Sequence, residues 1–174
     1  MKKDIFEVIK NRRSVRSFTS EKVSDDKLEK MIEMAQMAPS AGNLQSWEFI
    51  IIKKKDTREK LASVAGQKFI SEPPVLIVVC ANQDRSSRKY GERGSNLYSI
   101  QDSAAAIQNI LLTAQSLDLS SCWIGAFDEE AVSQILNIPE GIRPVALLPV
   151  GYAKEVPNRP KRYPSNKVVH KEKW

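Results

Sequence analysis

Apolar and polar positions alternate along this chain with two different periods, and the switches between them mark its elements. Ile5, Val8 and Ile9 fall on one face of a short helix. Ser24 is placed as an N-cap with Asp25 and Asp26 in the first turn. Leu28, Met31, Ile32, Ala35 and Ala38 follow at helical spacing until Pro39 ends the helix. "WEFIIIK" from Trp47 predicts a strand. "DTREKLASVAG" predicts a helix, with Asp56 and Glu59 spaced as a capping box and Gly66 just past its end. "VLIVVCA" (75–81) is apolar throughout, as in a strand covered on both faces. The polar stretch 82–99 has little periodicity and is expected to be a long loop. From Ile100, apolar groups occupy nearly every face of a long helix. Ile107, Ile110, Leu111, Ala114 and Leu117 form one stripe, widened by Ala104, Ala105, Ala106 and Leu112. Such a helix is buried all round, by its own core or by a partner subunit. "SSCWIGAF" is strand-like, Asp128 caps a helix over 129–137, and "PVALLPVGY" is a last core strand. Its Pro149 predicts an edge position or a bulge. Periodicity thus predicts a mixed α/β or α+β domain with about four strands, without fixing their direction.

Length and composition narrow the class. The 174 residues fit one domain, and 41% apolar with 28% charged residues is ordinary for a globular protein. No apolar run approaches the roughly 20 residues of a membrane span. "MKKDIFEVIK" lacks the features of a signal peptide, so the expected location is cytoplasmic, with no membrane partner. Cys80 and Cys122 lie in apolar runs without metal or redox spacing. The single histidine, His170, excludes a multi-histidine metal site, and no metal is expected.

The net charge of +6 is concentrated at the end of the chain, where residues 153–174 hold seven Lys/Arg and two Glu. Either the tail is a solvated basic face or it serves a phosphate. A nucleic-acid surface is not expected, because the basic residues lack interleaved aromatic platforms. A second basic cluster, Arg12, Arg13, Ser14 and Arg16, follows the first helix. Guanidinium forks and a hydroxyl match phosphate oxygens, although a surface patch has the same composition. Arg159, Lys161 and Arg162 in the tail are candidates to converge on the same anion. No P-loop or G-x-G-x-x-G occurs. The stretch 39–45 has no reagent, only Pro39, Ser40, Ala41, Gly42, Asn43, Leu44 and Gln45. Its amides and hydroxyl suit the edge of a heteroaromatic ring with alternating C=O and N–H, or else make a simple helix-to-strand turn. Gly125 marks either a bulge or a point of close approach.

In order, "NRRSVRSF", "APSAGNLQSWEF", "YGERG", "QDSAAAIQNILLTAQSLDLSSCWIGAFDEE", "ILNIPEG", "PVALLPVGY" and "KRYPSNKVVHKEKW" resemble the FMN-dependent nitroreductase family over almost the whole chain. The resemblance implies one α+β domain over 1–174, with helices around a mostly antiparallel central sheet. It implies an intertwined homodimer with FMN at the subunit interface and 153–174 as an arm reaching the partner. By position, Arg12, Ser14 and Arg162 would hold the phosphate, and Arg13 would add backbone or ribityl-side contacts. Arg16 would lie near flavin N1 and the C2 carbonyl. Pro39, Ser40, Ala41, Asn43 and Gln45 would reach the flavin from the other subunit, and Gly125 and Ala126 would lie against N5. The stretch 82–99, with Tyr90 and Tyr98, would shape access to the ring. The implied reaction is ping-pong: NADH or NADPH passes hydride to N5 and leaves, and a nitroaromatic, quinone or similar acceptor is then reduced. No protein nucleophile or base is required. Relatives with another reaction (flavin cleavage, reductive dehalogenation, heterocycle oxidation) or a non-catalytic FMN-binding role are the alternatives.

Overall fold

A continuous apolar strand must be covered on both sides, and in the computed structural model, which describes residues 4–174, β2 (Val75–Asn82) is. It lies inside a four-stranded sheet of order β1 (Trp47–Ile52), β2, β4 (Ile142–Gly151), β3 (Ser120–Ser121). Every pairing between these strands is antiparallel. Alternation along the strands sends side chains to two cores. Val75, Ile77 and Val79, with Ala146, Leu148 and Val150, pack against helices α2 (Asp25–Gln36) and α5 (Ser99–Ser116). Leu76, Val78, Cys80 and Leu147 pack on the other face against α3 (Lys55–Val64) and α6 (Glu129–Leu136). The result is an α+β sandwich of helix, sheet and helix. Burial of α5 on the sheet and against α2 accounts for much of its broad apolar surface.

The elements start and stop largely where local chemistry dictates. Asp128 accepts from the Ala131 N–H at 3.0 Å as the cap of α6, and Gly66 follows α3 at φ 63°. Ser24 stands at the N-cap of α2 as expected, with extended backbone, but makes no side-chain capping bond. Other signals fail. The Asp56/Glu59 box does not form, because α3 begins at Lys55 and Glu59 pairs with Lys55 at 3.6 Å. "SSCWIGAF" gives only the two-residue β3 and one further bridge, Ile124 to Leu147.

Pro149 also departs from expectation. β4 is interior to the sheet, and its bulge lies at Val79/Cys80 opposite Pro144 and Ala146. The register joining Ser121 to Val150 and Ile124 to Leu147 sets Pro149 opposite Cys122. Leu147 exchanges both backbone bonds with Ile124, so Pro149, two residues on, turns its missing N–H to the same side. The β3 ladder is therefore interrupted there, which is how an interior strand tolerates the proline.

The largest correction concerns 82–99, which is helical. Asn82 caps α4 (Gln83–Arg93) by accepting from the Arg85 N–H at 2.9 Å, and a π-helical turn, Gly94–Tyr98, leads into α5. The helix has no apolar stripe, so the hydrophobic pattern could not reveal it. Gly91 breaks it at φ 55°, ψ −142°, a conformation open to glycine alone.

Helix α1 (Ile5–Asn11) buries only Val8, while Ile5, Phe6 and Ile9 stay 53%, 66% and 51% exposed. All residues from 154 onward are exposed, Tyr163 at 82%.

Two glycines separate packing from conformation. A Cβ at Gly94 would lie 2.4 Å from the Ser86 carbonyl oxygen, whereas one at Gly66 meets nothing within 4 Å. Gly94→Ala is expected to lower stability in urea unfolding by about 2–3 kcal/mol through overpacking. Gly66→Ala should cost about 1 kcal/mol through its positive φ.

Candidate functional site

After α1 the chain extends along the β3/β4 end of the sheet. Val15 N–H donates to Ser121 O at 3.1 Å, Thr19 N–H to Tyr152 O at 2.9 Å, and Lys154 N–H to Ser17 O at 2.9 Å. Val15 and Phe18 anchor the segment by burial, and Ser14 and Arg16 face outward. The tail returns over the same place. Arg12, Arg13, Ser14 and Arg16 share a cavity of about 210 Å³ with Pro157, Asn158, Pro160 and Arg162. The two ends of the chain thus meet there. Arg13 is partly spent, its Nη1 donating to Lys10 O at 2.7 Å and Arg12 O at 2.9 Å at the carbonyl end of α1. Among the described residues, no carboxylate forms an ion pair with Arg12, Arg16 or Arg162. An adjoining cavity of about 290 Å³ brings Glu155 to Ser14, Arg16 and Ser17. Arg159 lines a different hollow beside α1.

Beneath the cluster lies Cys122. Burial pushes its thiol up, against the opposing pull of Arg16, Ser14 and Arg12. Burial, with Glu48 adding to it, pushes Cys80 up to about 12. Both thiols stay protonated and unreactive at neutral pH.

From Ser121, which is paired with the Ser14–Val15 segment, the chain runs on through buried Cys122 and Ile124 to exposed Gly125, about 13 Å away at extended spacing, and Ala126. The N–H groups of Gly125 and Ala126 find no acceptor among the described residues. Nothing within the chain forces glycine at 125, since a Cβ would meet only Trp123 Nε1, at 4.0 Å. This edge is open to a ligand.

The stretch 39–45 lies elsewhere. It enters β1 at Trp47, which pairs with Ala81, and Ala81 pairs with Arg143. Arg143 and Val150 are separated by about 23 Å of β4, and β1 and β3 are opposite edges of the sheet. The structure therefore does not bring Pro39, Ser40, Ala41, Asn43 and Gln45 to the arginine cluster of the same chain. Gly42, Asn43 and Gln45 all have positive φ, 58°, 56° and 52°. Such crowding of left-handed residues is costly and persists only where the surroundings hold it. Ser40 Oγ accepts from the Gln45 N–H at 2.9 Å, and Arg85 Nη1 donates to Gln45 O at 2.6 Å. Asp102 Oδ1 accepts from the Ala41 N–H at 2.9 Å, while its buried Oδ2 has no hydrogen-bond partner among the described residues. Sequence reasoning passed over Asp102 and Arg85. The signal for Asp102 was a lone carboxylate on the buried face of a helix whose other inward residues are apolar or serine.

Fold and site together define an α+β protein with a basic cradle suited to a phosphate and an open backbone edge leading from it. The chain belongs to the Nitroreductase family, whose model matches residues 9–73 and 63–152. It is 33% identical over 98% of its length, and 99% of the relative, to a putative NADH dehydrogenase/NAD(P)H nitroreductase of Archaeoglobus fulgidus. It is 27% identical to an FMN reductase (NADPH) of Bacillus subtilis, covering 94% of this chain and 72% of that protein. Among solved structures, the NADPH:FMN oxidoreductase from Vibrio harveyi complexed with NAD+ superposes with a TM-score of 0.90. It shares 25% identity, covering 98% of this chain and 77% of that one.

Asp102 should hold the loop. In Asp102→Ala, exchange at the Ala41 amide is expected to accelerate and stability to fall by about 1–2 kcal/mol. Asp102→Asn, which keeps an acceptor oxygen, should retain most of the protection.

Proposed function

We propose that this chain is an FMN-dependent NAD(P)H oxidoreductase acting as a homodimer. The observation that carries the reading is the convergence of Arg12, Ser14, Arg16 and Arg162 on one cavity, with no carboxylate ion-paired to these arginines among the described residues. Unpaired guanidiniums beside a serine hydroxyl fit a dianionic phosphate. The relatives' names supply the rest of the molecule, a flavin mononucleotide and a nicotinamide donor. When bound, FMN supplies two-electron chemistry, accepting hydride from NADH or NADPH and delivering it to a nitroaromatic, quinone or similar acceptor in two half-reactions.

The residues have distinct roles. Arg12, Ser14 and Arg162 hold the phosphate. Arg13 contributes mainly by tying the end of α1, which places its neighbours. Arg16 sets a fixed positive charge toward the pyrimidine side of the ring, where reduction accumulates negative charge. Gly125 and Ala126 present unclaimed N–H donors along the same edge, within the reach of one extended ligand.

Pro39, Ser40, Ala41, Asn43 and Gln45 complete the site from a second copy. Their separation from the cradle within one chain supports this, as do the uncovered apolar groups of α1 and of the tail 154–174. Val156, Tyr163, Val168 and Val169 then form an arm that finds its cover on the partner. Flavin cleavage, reductive dehalogenation and heterocycle oxidation use the same cradle, and no observation favours them here.

Purified protein is expected to be yellow and to be bleached by NADH or NADPH without oxygen, then reoxidised by a quinone. A colourless protein that cannot be reconstituted with FMN overturns the proposal. Arg12→Ala should weaken FMN binding about 10- to 100-fold, as for loss of a charge-assisted hydrogen bond. On dilution, FMN release followed by flavin fluorescence should track dimer dissociation followed by light scattering. A monomer that retains FMN tightly refutes the two-copy site.

A further inference from the structure

One basic cluster is left unused by this reading. Arg85, Arg88 and Lys89 are spaced i, i+3 and i+4 on one face of α4, and Arg93 follows the Gly91 break. Arg85 is committed to Glu48 and to Gln45 O. No ion pair joins Arg88, Lys89 or Arg93 to a carboxylate among the described residues. Within the same helix, Asp84 lies against Gly141, and Glu92 is exposed without an ion pair.

Rings stand where acids do not. Lys89 Nζ is 5.4 Å from the centroid of Tyr90, and Arg93 Cζ is 5.3 Å from that of Tyr98. Arg93 Nε also donates to the Tyr98 hydroxyl at 2.9 Å. The two tyrosines meet edge to face, with centroids 5.2 Å apart. Cations over ring faces are attracted to them but keep most of their charge for a third group.

The position of the cluster gives it a role. A Cβ at Gly42 would lie 2.5 Å from the Tyr90 hydroxyl and 2.8 Å from Lys89 Nζ. The cluster thus touches the loop assigned to the flavin of the other copy, and the inference rests on that assignment. We propose that Arg88, Lys89 and Arg93, with Tyr90 and Tyr98, form an anion-selective subsite for planar aromatic acceptors bearing a carboxylate or sulfonate. The tyrosines offer a surface for the ring, and the cations select the acid. A 2′-phosphate of NADPH is the competing anion, but two riboses and a pyrophosphate separate it from the nicotinamide. Cations in contact with the ring-facing loop serve a compact acid instead.

The test uses the full chain loaded with FMN. Two acceptors with the same ring system are compared, 1,4-naphthoquinone-2-sulfonate and the neutral 2-methyl-1,4-naphthoquinone. In Arg88→Gln/Lys89→Gln, the ratio of their kcat/KM values is expected to fall about tenfold against the sulfonate. Added salt should erode the wild-type preference. Both positions are exposed, and thermal melting reports whether the fold is kept; Arg93→Lys, which keeps the charge, should retain most of the preference. Calorimetric titration with 2-naphthoate, which is not reduced, should show weaker binding in the double variant. An unchanged ratio with unchanged naphthoate binding overturns the subsite, as does a shift in NADPH-over-NADH preference with no shift between acceptors. A protein that holds no FMN, or does not oxidise NAD(P)H, fails the oxidoreductase reading instead.

Discussion

The burial of β2 on both faces governs where everything else can lie. Seven of its eight residues are buried, so helices must cover the sheet above and below. A sheet sealed in this way has no face left for a ligand. Only its ends and edges remain, and there the chemistry gathers: arginines at one end, an open backbone along the β3 edge, a strained polar loop at the far corner. The helix layers also set the distance between those places. One chain keeps the arginine cradle and the loop 39–45 at opposite sides of the sheet, and this separation is the ground on which a second copy is proposed.

The same constraint explains what the sequence could reveal. β2, α2, α5 and α6 were legible because burial writes itself as apolar periodicity, and because Asp128 and Gly66 act through their immediate neighbours. α4 was illegible, since a helix held by its cap, by Gly94 against Ser86 and by the Arg85–Glu48 salt bridge needs no apolar stripe. Pro149 misled for a related reason. Which side of a strand lacks a partner is decided by register, and register is a property of two strands. Ile5, Val8 and Ile9 showed a proper helical face, but of that face only Val8 is buried by its own chain.

For the site, residue types were readable and their assembly was not. Three arginines and a serine near residue 14 signalled an anion, but their meeting with Arg162 depends on the path of the tail over the sheet end. Likewise the loop 39–45 looked like a turn rich in amides, and its strain becomes visible only in its dihedrals. Asp102 shows how such strain is held: a carboxylate from the central helix fixes the Ala41 N–H near the start of the loop. The precision of this loop is thus borrowed from the core.

Pro149 has one more consequence. A four-stranded sheet has two edges, and an edge with an unbroken row of N–H and C=O groups is a template for the next misfolded chain. Because the proline cannot answer Cys122, β3 stays two residues long, and no long flat edge forms on that side. Pairing resumes only at Ile124, which exchanges both backbone bonds with Leu147, and it does not extend to the N–H groups of Gly125 and Ala126 among the described residues. A single absent proton thus keeps that flank of the sheet from offering a continuous template to another chain.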